Sequence, residues 1–396
     1  MIILAKMLMV YDVKKSTILH DPSNIMSKNV YVFGSNLGSQ LGNSDLGDSH
    51  KPILISELSN RNVQSIVAGS LHTIALVDKK IYTWGCNDEF ALGREGDEDK
   101  ILEVVLKVSK KKEVVGISAG ASHSACLLEN GNVYAWGTFR DTSGIIGFDY
   151  KTKYQKTPKL IQRNVVQIFS TDNVITMLLK TGGIVSYGAD LWRDRFKIER
   201  RTRCFKNKPK MKTVLRAKSS QKKIVEISGG DHHVLGITSD GYVKAWGNNF
   251  CGQHGNDHKI CCDAPNDIIK IKNIVKVKGG TTHSLFLDNK GNLYGCGENG
   301  YGQLSHNEKE LLTPTLVATN VLDFATAGLI TFVVKKDGVY SCGTNYYGEL
   351  GHVEDGKDIS FLKKIEYNFG KISGITCGGS HAIIVADDEG IITKKY

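Results

Sequence analysis

The 396-residue chain has no run of about 18 apolar residues, the length a membrane-crossing helix needs. Its apolar opening, Met1 to Val10, is short and interrupted by Lys6, and no small-residue cleavage site follows it, so a secretory leader is not expected. Helical periodicity is almost missing. Tryptophan occurs only at positions 84, 136, 192 and 246, and no Trp-Asp pair occurs, which argues against WD repeats. There is no nucleophile elbow, no phosphate-binding P-loop and no paired carboxylates on a predicted pocket floor. An enzyme is therefore the weakest reading, and neither cofactor nor metal is expected. The nine cysteines are odd in number and scattered, with Cys126, Cys296 and Cys342 inside apolar runs. That pattern fits reduced, packed thiols in a cytosolic or nuclear protein, without disulfides.

What is present is ordinary globular material, 41% hydrophobic and 8% aromatic, enough for a large core or several small ones. The net charge of +10 is not spread evenly. Between Arg193 and Lys223 fourteen Lys or Arg face only Asp194 and Glu199, a local charge of +12, and the rest of the chain carries −2. A basic loop on a near-neutral body suggests one docking surface for an acidic partner; a merely solvated lysine-rich loop is the alternative.

Glycines preceded by an aromatic or small residue recur at Gly34, Gly85, Gly137, Gly188, Gly247, Gly297 and Gly343, in steps of 51, 52, 51, 59, 50 and 46. A period near fifty marks a repeat architecture. Each unit has a short alternating strand (VYVFG, IYTWG, VYAWG, VKAWG among them), then a Gly-rich turn, with Asn two residues after the glycine in five of the seven (Asn36, Asn87, Asn249, Asn299 and Asn345). Its second half reads as two strands around a Gly-x-x-His corner, followed by a tight turn. Kelch repeats share the period and the paired glycines but not the histidine. Seven all-β units that cannot bury their faces alone predict a seven-bladed β-propeller over residues 28–396, with 1–27 as a separate segment that could add a ring-closing strand. The basic stretch, 192–223, is an insertion in the fourth repeat.

Four of the turns run from glycine to glycine in eight steps, whereas Gly137 to Gly147 (GTFRDTSGIIG) takes ten. The flanking strands pin its ends, so Phe139, Arg140, Asp141, Thr142 and Ser143 are expected to project from one face, where function usually sits. The recurring His72, His123, His233 and His283 are read as structural, each hydrogen-bonding a neighbouring strand. His381 divides evenly between structure and function. Cys251, His254, His258, Cys261 and Cys262 have zinc-like spacing, but the ordinary repeat turn explains much of it.

The turn and corner motifs, with CNDEFALGREG (Cys86 to Gly96) and the ten-step turn, resemble the regulator of chromosome condensation family across the chain from Val30 onward. The resemblance implies a nuclear, chromatin-bound, monomeric guanine-nucleotide exchange factor for the small GTPase Ran. It implies that Phe139 to Ile146, including Gly144 and Ile145, form a β-wedge against the GTPase, with Arg140 paired to an acidic group there. It places Asp172, Asp231, Thr282 and His381 on the GTPase-facing rim. It assigns Arg200, Arg201, Arg203 and Arg216 to the acidic patch of the nucleosome, with DNA phosphates as the competing target. Ala121, Thr282 and Leu37 depart from the family's Asp, His and acidic residue. A non-exchanging scaffold for chromatin or a ubiquitin-pathway partner is the alternative function.

Overall fold

The computed structural model describes residues 28–43, 45–107, 112–141, 144–149, 151–189, 210–215, 222–268, 271–353 and 356–387. Seven antiparallel four-stranded sheets form the ring of blades, and a two-stranded hairpin stands beside them. The first blade is built from Val63–Ala68, His72–Val77, Lys80–Gly85 and Leu102–Val104, from the innermost strand outward. The second to sixth repeat this order over 114–162, 165–215, 224–267, 274–318 and 323–364. The fourth repeat of the sequence is thus the third blade, and its outer strand, Lys210–Leu215, lies inside the basic stretch. Among the described residues the helical element is one 3-10 turn, Ser56–Leu58.

The seventh blade closes the ring. Its two inner strands, Ile372–Cys377 and His381–Asp387, come late in the chain, and its two outer strands, Lys28–Gly34 and Ser49–Leu54, come early. Pairing runs unbroken from Lys28 opposite Asp387 to Gly34 opposite His381. A buried ion pair between the Lys28 ammonium and the Asp387 carboxylate fastens the far end of that ladder, with Lys371 3.2 Å from the same carboxylate. Residues 1–27, considered above as a closing strand, lie outside the described residues.

The core lies between blades. The second strand of the first, second, fourth and seventh blades is buried along its whole length, as in His72–Val77 and His123–Leu128, because neighbouring sheets cover both faces. Trp84 and Trp136 carry this packing from blade to blade. Each indole is fully buried, and each N–H donates to a carbonyl of the preceding blade's turn, Trp84 to Gln40 at 2.9 Å and Trp136 to Ala91 at 2.7 Å. The glycine closing the eight-step turn follows from this. A Cβ at Gly93 would stand 2.5 Å from the Trp136 ring, and its φ of +66° also favours glycine.

Candidate functional site

In the first blade His72 pairs with Gly85, in the second His123 with Gly137, and in the third Val174 with Gly188. The same register in the other blades brings every Gly-rich turn and every Gly-x-x-His corner to one end of the ring, here called the turn face. The asparagines hold the turns in shape. Asn36, Asn87, Asn249, Asn299 and Asn345 each accept, through Oδ1, the amide five residues later, at 2.7 to 3.1 Å. Their Nδ2 groups can then tie down the rest of the loop, as Asn299 does by donating to the His306 and Glu308 carbonyls. These loops are braced from inside, so what they display is positioned.

The ten-step turn forms the hairpin. Phe139–Asp141 pairs with Gly144–Gly147, with Arg140 opposite Ile145 and Asp141 opposite Gly144. Thr142 and Ser143 lie outside the described residues. Phe139 departs from the expectation that it projects. Its ring is fully buried, with centroids 4.7 Å from His123, 5.5 Å from Tyr187 and 5.8 Å from Phe148. It is the first residue of the hairpin, where the chain still lies over the seam between two blades, and an aromatic ring there gains more from burial than from water. Ile146 packs against the same cluster, while Gly144 and Ile145 are half-buried.

Polar contacts fix the hairpin on other sides. The Tyr187 hydroxyl donates to the Phe148 carbonyl at 2.9 Å, and the Thr138 hydroxyl to the Lys153 carbonyl at 2.8 Å. The Arg140 amide donates to Asn173 Oδ1 at 3.1 Å, and the Arg140 guanidinium lies 3.0 Å from Glu89 Oε1 on the neighbouring turn. Arg140 thus has an acidic partner within the chain, from the adjacent blade. Asn173 and Glu89 were not singled out from the sequence, and Tyr187 was marked only as the aromatic residue before the repeat glycine Gly188. The contacts they make to the hairpin each occur once, so periodicity could not reveal them.

The structural reading of the histidines is met in three of the four named, and His381 joins them. His72 Nε2 lies 2.9 Å from Ser124 Oγ, His233 Nε2 2.7 Å from Ser284 Oγ, and His283 Nε2 2.6 Å from Thr326 Oγ1, each across a blade seam. Ser124 and Ser284 donate their own protons to the Ala91 and Gln253 carbonyls, so the facing imidazole nitrogen must be the donor. His381 is fully buried and 3.1 Å from Thr73 Oγ1; it belongs to this set and not to the exposed rim. Burial lowers its pKa to about 3, so it stays neutral at physiological pH. His123 is the exception among the four, since both ring nitrogens are buried without a hydrogen-bond partner.

Asp172 and Asp231 stand at the turn-face mouth of the central channel, a cavity of about 1180 Å³. The Ser70 hydroxyl donates to Asp172 at 3.4 Å, and the Thr281 hydroxyl to Asp231 at 2.5 Å. Burial, then the nearby Asp231 charge, raises Asp172 to a pKa of about 7. Thr282 donates to Glu298 at 2.6 Å.

Arg200, Arg201, Arg203 and Arg216 lie outside the described residues, but both ends of the stretch between Ala189 and Lys210 open on the turn face, since Gly188 pairs with Lys210. Of the residues with zinc-like spacing, Cys262 Sγ lies 3.8 Å from His254 Nδ1, but among the described residues no three of them come together. The Asn249 amide donates to Cys261 Sγ and the Ile260 amide to His258 Nδ1.

Residues 29–384 match the RCC1-like domain family. The Regulator of chromosome condensation of Xenopus laevis is 31% identical over 281 residues, covering 66% of this chain and 65% of that relative. The Guanine nucleotide exchange factor SRM1 of Saccharomyces cerevisiae is 30% identical over 230 residues, covering 48% of this chain and 46% of that protein. The crystal structure of Prp20p from Saccharomyces cerevisiae, reported with its binding properties to Gsp1p and histones, superposes with a TM-score of 0.78 at 23% identity and 92% coverage of both chains. With seven blades, braced turns and a matching span over nearly all the described residues, the chain belongs to the RCC1-like domain family.

Proposed function

We propose that this chain is a guanine-nucleotide exchange factor for the small GTPase Ran, working in the nucleus on chromatin. The observation that carries the reading is the hairpin, a turn two residues longer than its siblings and clamped by Phe139, Tyr187, Asn173 and Glu89 at the edge of a rigid ring. The relative named as a guanine nucleotide exchange factor, SRM1, supports the same activity.

Exchange needs no covalent step. A GTPase holds its nucleotide through backbone amides, a lysine and a magnesium ion around the phosphates. A partner that binds the empty form more tightly than the loaded form weakens nucleotide binding by the same factor. In this reading the hairpin tip, Arg140 to Ile146, presses on the phosphate-binding region and displaces those contacts. A stiff hairpin transmits that strain where a mobile one would fold back. Asp172 and Asp231, without a cation among their hydrogen-bond partners in the described residues, suit a lysine or arginine of the GTPase. Thr282 flanks the same mouth. Arg200, Arg201, Arg203 and Arg216 have the forked donors that suit clustered carboxylates on the nucleosome.

Release of a fluorescent nucleotide from Ran tests the activity. Deleting Thr142 and Ser143 is expected to lower the maximal acceleration the most, and Arg140→Ala and Asp172→Ala to reduce it less. Release that stays at the accelerated wild-type rate after the deletion would remove the hairpin from the mechanism, and a wild-type chain that does not accelerate release would leave a scaffold without exchange activity as the better reading. For chromatin, an acidic-patch peptide is expected to compete for nucleosome binding more effectively than free DNA.

A further inference from the structure

The turn face is not uniform around the ring. At the crests of the turns the first two blades carry Asp88 with Glu89 and then the hairpin. On the fourth to seventh blades the crests are large and apolar: Phe250, Tyr301, Tyr346 with Tyr347, and Leu37, from 36% exposed at Tyr301 to 88% at Leu37. Single exposed apolar residues are common, but a large one within two residues after the turn asparagine in four consecutive blades is a pattern.

The crests are contiguous because the turns tile. A side chain at Gly252 would strike Leu312, in the outer strand of the blade bearing Tyr301. One at Gly302 would strike the backbone of Ser360, in the blade bearing Tyr346, and one at Gly348 would strike His50, in the blade bearing Leu37. Each turn therefore rests on the next blade, and the four crests make one arc.

The inner edge of the arc meets acid. Tyr346 and Tyr347 line the same cavity as Asp172 and Asp231. The Tyr346 phenol is raised above its ordinary range by the Asp358 charge first, then by burial, Tyr301 and Glu349, so these groups are neighbours. Phenol rings beside carboxylates fit aliphatic stems that end in a cation. The stem packs on the ring, the cation sits over its face, and the carboxylate takes the charge. Tyrosine is also enriched among the residues on which protein interfaces depend most.

We infer that this arc is the half of the interface that supplies affinity, and that it receives a patch of lysine, arginine and aliphatic side chains on the GTPase. The inference rests on the exchange reading above. It separates two tasks on one face: the hairpin sets the rate of release, and the arc sets how much GTPase is engaged.

The test is steady-state exchange by the full chain, with Ran carrying fluorescent GDP as the titrated substrate. The double variant Tyr346→Ala/Tyr347→Ala is expected to raise the half-saturating Ran concentration by roughly tenfold or more, with the maximal rate within about twofold of wild type. Tyr346→Phe/Tyr347→Phe keeps the rings and is expected to restore wild-type saturation. Deleting Thr142 and Ser143 is expected to do the reverse, lowering the maximal rate at similar saturation. Unchanged half-saturation in the double alanine variant and in Tyr301→Ala overturns the inference while leaving the exchange reading in place. If the double variant fails to fold, Tyr301→Ala and Phe250→Ala carry the same measurement. A wild-type chain that releases no nucleotide from Ran removes the exchange reading, and this inference with it.

Discussion

Three kinds of seam join the blades. Four are bridged by a histidine of one blade and a hydroxyl of the next: His72 with Ser124, His233 with Ser284, His283 with Thr326 and Thr331, and His381 with Thr73. Where the chain has no histidine at this position, at Val174 and Ile330, the matching residues of the following blades are Val234 and Ala382, so donor and acceptor were lost together. The seam after the second blade breaks this rule. It keeps His123 but puts Ile175 at the hydroxyl position, leaving a buried imidazole with no polar partner. That seam also lies under the hairpin, and the Phe139 ring fills the space against His123. The difference shows a polar join exchanged for an aromatic one at the place where a loop must be anchored.

The largest effect should come from breaking the aromatic join. Phe139→Ala empties a fully buried site and is expected to lower stability by about 3–5 kcal/mol. Urea unfolding measures it, and a cost near 1 kcal/mol would mean that the hairpin is held by its polar contacts alone. A paired substitution sharpens the contrast between seams. His233→Leu removes a bonded donor and is expected to cost about 1–2 kcal/mol, whereas His123→Leu removes unpartnered nitrogens and is expected to be neutral or stabilising. Equal losses in the two variants would erase the distinction.

The pH dependence follows from Asp172, whose folded pKa of about 7 lies above the ordinary value. Between an unfolded pKa of about 3.9 and that value the folded chain holds a proton that the unfolded chain has lost, so stability falls as pH rises across this window. Asp172→Asn is expected to flatten the decline in urea midpoint between those limits and to change little below them. The smallest effect is Arg140→Ala, which loses an ion pair whose arginine side chain is 44% exposed; about 0–1 kcal/mol of stability is at stake. A large loss there would make Arg140 part of the anchor.

The ring was legible because a glycine spaced eight residues from the next, an asparagine two residues in and a Gly-x-x-His corner each answer a need of the backbone and each recur in at least four of the seven repeats. The hairpin was legible for the opposite reason, as a break in that spacing. What the spacing could not tell is which residue of the longer turn faces inward; Phe139 was counted with the projecting residues and is instead the plug beneath them. His381 was divided between two roles because its partner, Thr73, stands 308 residues away, and only closure of the ring brings them together. The clamps Asn173 and Glu89 left no trace in the repeat pattern, since each acts once. Asp172 was marked through resemblance, while its proximity to Asp231 depends on how adjacent corners converge on the channel.

The closing blade has a consequence for synthesis. Lys28 and Asp387, whose side chains lock its far edge, are 359 residues apart, so the early strand emerges from the ribosome long before the strand it must pair with. Until then Lys28–Gly34 is an open edge, able to pair with the wrong chain. Nascent copies on a crowded polysome would therefore be most exposed to exchange of this strand between neighbours, and a chaperone that shields one early segment would protect the whole disc.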